Sequence, residues 1–176
     1  MLTLDDHQRD MRDGFAWGAP GMTVSGLVWL AAAVAAMRVS FMASVFTLFA
    51  GGAAIHPLGM LLAKAMGRRG GNTPGNPLAA LALESTVWML ACLPIAFAVA
   101  TRGPDWFFPA MMCVIGGRYL VFQSIYGARI YWTCGGVLVA AAWALVVARV
   151  DPAPAAAVGG VVELAFAVML WGKSRG

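Results

Sequence analysis

Leu78 to Ala100 reads LAALALESTVWMLACLPIAFAVA, twenty-three residues of which only Glu84 is charged. At a helical rise of about 1.5 Å per residue, such a run crosses the roughly 30 Å hydrocarbon layer of a bilayer. A soluble fold has no comparable use for a stretch this long and this apolar. Outward from it, five further runs have the same character: Gly21 to Met37, Phe41 to Ala65, Trp106 to Ala128, Ile130 to Val150 and Pro154 to Trp171. The fold class read from the sequence is all-α. It is a polytopic transmembrane bundle of six spans forming a single membrane domain over residues 1–176, preceded by an amphipathic helix at the membrane interface.

Composition agrees with that reading. Hydrophobic residues make up 61% of the 176-residue chain and charged residues 11%, where a soluble domain carries about 25% charged residues. The net charge of +4 does not indicate nucleic acid, because the basic residues are spread through the connections rather than gathered on one patch. They work instead as a topology signal. Six spans put the N-terminus, the second and fourth interspan loops and the C-terminus on one face. That face carries Arg9, Arg12, Lys64, Arg68, Arg69, Arg129, Lys173 and Arg175, and the other carries Arg38, Arg102 and Arg149. By the positive-inside rule the richer face is cytoplasmic. The junction at Gly127 to Tyr131 is short enough that one bent span, and so five crossings, is the alternative.

Residues 1–18 are polar, with Leu4, Met11 and Phe15 at near-helical spacing, as in a helix lying on a membrane surface. The segment is too acidic for the basic start of a signal peptide and is expected to be retained. Gly67 to Pro77, GRRGGNTPGNP, reads as a mobile, turn-rich loop, with Asn76-Pro77 opening the third span. Trp17, Trp106 and Trp132 fall near span ends as an aromatic belt, whereas Trp29, Trp88 and Trp143 lie deeper as packing residues. Small residues four apart (Gly14 and Gly18, Gly21 and Ser25, Gly136 and Ala140) mark faces where helices approach, within the chain or in a homo-oligomer.

Four ionisable residues fall inside spans: His56, Glu84, Arg118 and Glu163. Each is costly in hydrocarbon, by about 2.5–3.5 kcal/mol at a helix centre on insertion scales. Depth pairs Arg118 with Glu163 and His56 with Glu84. They read either as a polar pathway for a small ion or solute, or as structural pairs that lock helices together. Gly51-Gly52 and Pro57 around His56 predict a kinked or locally unwound helix, a feature that lines some substrate sites.

No catalytic motif stands out. Ser85 and Ser124 lack a visible partner base, which leaves a membrane enzyme behind the other readings. Cys92, Cys113 and Cys134 form no CxxC pair, and the eleven methionines are read as core filler rather than a copper stripe. No metal and no cofactor is expected. The readings that remain are a small transporter or channel-like protein and a non-catalytic scaffold or accessory subunit.

Arg12-x-Gly14-Phe15, Gly18-x-Pro20-Gly21, Ser25-Gly26-x-x-Trp29, Asn76-Pro77-Leu78, Phe107-Phe108-Pro109 and Gly116-Gly117-Arg118-Tyr119, with Phe122 and Tyr126-Gly127, resemble a family of small uncharacterised bacterial membrane proteins. The resemblance implies a multi-pass protein of the bacterial inner membrane and brings no activity, cofactor or site residue with it.

Overall fold

The computed structural model describes residues 2–175. Met1 and Gly176, the ends of the expected membrane domain, lie outside the described residues, as does the side chain of Arg175 from the basic face.

The described residues are all-helical, in seven α-helices. These are α1 (Leu4–Phe15), α2 (Ala19–Arg38), α3 (Phe41–Ala65), α4 (Leu78–Ala100), α5 (Phe107–Tyr126), α6 (Ile130–Val147) and α7 (Pro152–Arg175), with short 3-10 turns at Ala16–Gly18 and Pro104–Trp106. The six from α2 to α7 are long and apolar enough to cross a membrane. Helices suit that setting because they satisfy their own backbone hydrogen bonds where no water can.

The ends of the helices follow from local chemistry. Thr3 and Asp6 cap α1 reciprocally: the Asp6 amide donates to Thr3 Oγ1 at 3.2 Å and the Thr3 amide to Asp6 Oδ2 at 2.9 Å. Ser40 caps α3 through the Ala43 amide. Asn76 Oδ1 accepts from the Leu78 amide at 3.0 Å, so Asn76 does open α4. The short junction between the fourth and fifth spans is a tight hairpin. α5 stops at Tyr126, Gly127 takes φ +64° and its amide closes on the Gln123 carbonyl, then α6 begins at Ile130. A Cβ at Gly127 would also collide with Gln8 Oε1 of α1. Gly127→Ala is therefore expected to cost about 1–2 kcal/mol from the left-handed backbone, with Gln8 turning aside, and to lower the thermal unfolding midpoint in detergent.

α2 lies between α3 and α7, α5 lies between α4 and α6, and α7 joins the two groups by touching α5 and α6. Two crossings are close. A Cβ at Gly26 on α2 would come within 3.1 Å of the Gly160 carbonyl on α7, and one at Gly160 within 2.9 Å of the Gly26 carbonyl. Gly116 and Gly135 stand in the same mutual relation between α5 and α6. Of the expected small-residue faces, the one at Gly136 is open: a methyl group added there would meet nothing within 4 Å, so that row is not a contact within the chain. The core between α2, α3 and α5 is aromatic: Trp29 packs on Phe108, and Phe107 is edge-on to Phe41, Phe49 and Phe108.

Three expectations are corrected. α3 runs as one continuous helix through Pro57, which faces outward, so the local unwinding read from Gly51-Gly52 and Pro57 is not found. Trp29 is a packing residue, but Trp88 and Trp143 are 70% and 67% exposed on the outside of the chain, where lipid takes an indole as readily as a protein core does. The 67–77 loop is tied down rather than free. Asp10 of α1 accepts from Arg69 Nη2 (2.6 Å), Thr73 Oγ1 (2.6 Å), the Thr73 amide (2.9 Å) and Asn76 Nδ2 (2.8 Å).

α1 makes further contacts across the same end of the bundle. Gln8 Nε2 donates to the Ser124 carbonyl and Arg12 Nη1 to the Tyr126 carbonyl, both at the α5–α6 hairpin. Arg68 Nη2 reaches the Ser174 carbonyl of α7. One face therefore gathers α1, the 67–77 loop, the 127–129 turn and the end of α7, as an even number of spans requires.

Candidate functional site

Glu163 on α7 is the one acidic side chain enclosed in the bundle among the described residues, at 0% exposure. Gly159 and Gly160, one turn earlier, let α2 lie close enough to cover it. The Tyr119 hydroxyl of α5 donates to Glu163 Oε1 at 2.9 Å. Ser25, buried on α2, stands beside the carboxylate, yet Oε2 is left without a hydrogen-bond partner. A polar atom buried that way is destabilising, so its retention singles out Oε2 as a candidate ligand atom.

Arg118, the neighbour of Tyr119 in the chain, turns the other way. Its Nη2 donates to Thr86 Oγ1 at 2.9 Å and its Nη1 to Met89 Sδ at 3.3 Å, both on α4, and the guanidinium lies 5.0 Å from the centre of the Phe122 ring. Arg118 Nε and Trp29 Nε1 are, with Glu163 Oε2, the buried side-chain polar atoms lacking a partner among the described residues. The expected Arg118–Glu163 ion pair is not formed. Depth is readable from position along each helix, but the partners on α4 depend on how α4 is turned.

His56 and Glu84 are not brought together either. Both are exposed, His56 on the outer side of α3 and Glu84 in a shallow surface groove of α4 with Leu83, Val87, Trp88 and Ala91. Neither faces the interior. The four residues singled out in the sequence thus divide into an inner pair, Arg118 and Glu163, and an outer pair.

Behind Tyr119, the rings of Phe122, Tyr126 and Tyr131 continue toward the α1 face, with Tyr126 and Tyr131 stacked at 5.3 Å. The Tyr131 hydroxyl donates to the Trp17 carbonyl, and Arg12 and Lys173 lie over the Trp17 ring at 5.1 and 5.9 Å. Trp17 and Ala16 both hold positive φ values, so this α1–α2 joint is a strained turn fastened by its neighbours. Sequence reading missed Tyr119, Thr86 and Met89. The one available signal was that Tyr119 adjoins a membrane-embedded arginine.

These features define a six-helix multi-pass membrane protein with an enclosed carboxylate at the junction of α2, α5 and α7. The chain belongs to a family of unknown function, DUF7010, whose model matches residues 4–173. No curated protein and no solved structure matches it.

Proposed function

We propose that the chain is a small transporter or channel-like protein of the bacterial inner membrane, with its working polar site at Glu163 and Arg118. The observation that carries this reading is the enclosed Glu163 carboxylate with one oxygen held by Tyr119 and the other unpartnered. A structural ion pair would set the two charges against each other, and here each faces a different helix. Ionisable residues kept inside a membrane bundle characteristically line ion or proton paths. The excess of Lys and Arg on the α1 face supports a cytoplasmic location for both termini.

The scaffold reading draws on a different surface. α4 turns Leu83, Val87, Trp88 and Ile95 outward beside the exposed Glu84, a face suited to a partner helix or a second copy of the chain. His56 and Glu84 belong to that reading rather than to the interior.

Reconstitution into liposomes separates the two. Dissipation of a pH gradient, and uptake across a panel of ions and small solutes, is measured for the wild type, Glu163→Gln and Glu84→Gln. Transport predicts flux in the wild type and in Glu84→Gln, and loss to the empty-liposome level in Glu163→Gln. No flux from a folded wild-type protein, or flux undiminished in Glu163→Gln, favours the scaffold.

A further inference from the structure

A half-buried guanidinium and an enclosed carboxylate lie near each other without pairing, and that needs a physical cause. Arg118 leaves the opposite side of α5 from Tyr119, which touches Glu163, but its stem is long and flexible and its charge is close enough to act on the carboxylate. Its present acceptors are a neutral hydroxyl and a thioether. A carboxylate is a better partner, since it sets a full opposite charge against the guanidinium and can accept two parallel N–H bonds from it. Arg118 on Thr86 and Met89 fits a state in which the charge of Glu163 is already answered.

Resting on the transport reading above, we propose that Glu163 binds one small monovalent cation, a proton or an alkali ion, and that Arg118 is the tethered cation that replaces it on release. The groups around the carboxylate fit a single positive charge. Ser25 comes from α2, Tyr119 and Arg118 from α5 and Cys134 from α6, and Arg118 is the one cation among them. A proton bound at Oε2 forms an O–H bond there, and its departure leaves a negative charge for Arg118 to meet. An alkali ion makes the same exchange using Oε2 with the Ser25 and Tyr119 oxygens.

The parking place is on a peripheral element. Thr86 and Met89 both belong to α4, which packs on α5, the 104–106 turn and α1 and has the smallest buried share of any span, 11% against 17–44% for the others. Displacing α4 withdraws both acceptors at once and sends Arg118 toward Glu163. Cargo release and α4 movement are thereby coupled.

Binding by the purified, detergent-solubilised chain tests this without requiring transport. Proton uptake is followed with an indicator dye, and Na⁺, K⁺ and Li⁺ are titrated against tryptophan fluorescence. Arg118→Gln removes the competitor and is expected to tighten binding of the cargo ion about tenfold, the scale of one hydrogen bond to a charged group. Thr86→Val frees the competitor and is expected to weaken it by a similar factor, while Glu163→Gln abolishes it. A merely structural role for Arg118 does not move the first two variants in opposite directions. Where Arg118→Gln fails to fold, the direction in Thr86→Val decides. Equal affinity in wild type and Thr86→Val, a shift of both variants in one direction, or no binding of proton or alkali ion overturns the proposal. Opposite shifts without flux in liposomes would support it and remove the transport reading; flux with no difference between variants would do the reverse.

Discussion

Gly160→Leu is expected to destabilise the bundle by about 3 kcal/mol or more, the upper range for forcing bulk into a packed interface. Even the first added carbon meets the Gly26 carbonyl at 2.9 Å and the Leu30 side chain at 2.8 Å. Leu30 can turn aside, but a backbone carbonyl cannot, so α2 and α7 must separate. Their separation also opens the wall over Glu163. Gly136→Leu, at a position with open space around it, is the matched control and is expected to change the unfolding midpoint little. Thermal unfolding of both variants in one detergent checks the contrast.

Asp10→Ala is expected to release α1 from the bundle while the six spans stay folded. Four hydrogen bonds converge on that carboxylate, from Arg69, Thr73 and Asn76. With Arg69 half exposed, their joint loss is expected to cost about 2–3 kcal/mol. Hydrogen exchange should show protection falling across α1 and the 67–77 loop and unchanged in α5 and α7. The same carboxylate sets a pH dependence. Burial pushes its pKa up, but the hydrogen bonds from Thr73, Asn76 and Arg69 outweigh that and hold it well below the usual carboxylate range. A depressed folded-state pKa contributes stability that is present above the unfolded value, near 3.9, and is lost as pH falls toward the folded one. α1 should therefore remain docked at neutral and mildly acidic pH and come loose only in strong acid.

The spans were legible because hydropathy reports length and insertion, and those are properties of each segment alone. α3 and α4 begin and end where the apolar runs do. Which way each helix faces was not legible. In a soluble protein an apolar stripe points inward, but lipid is as apolar as the interior, so Trp88 on the outside and Trp29 on the inside read alike. The same blindness paired His56 with Glu84 by depth although both face outward, and it could not say that Gly135 rather than Gly136 makes the contact within the chain. Glu163 stood out because a carboxylate inside a span is conspicuous against any background. Its neighbours did not, since a serine and a tyrosine on two other helices become a site only once the helices are turned.

Glu163 as the exchanging group is most directly tested by infrared difference spectroscopy of the protein in lipid, stepping the pH or adding Na⁺ or K⁺. The expected result is a carboxyl C=O band that changes with the added or removed cation in the wild type and is missing in Glu163→Gln. A spectrum in which no carboxyl band responds, or in which the responding band survives in Glu163→Gln, would contradict it.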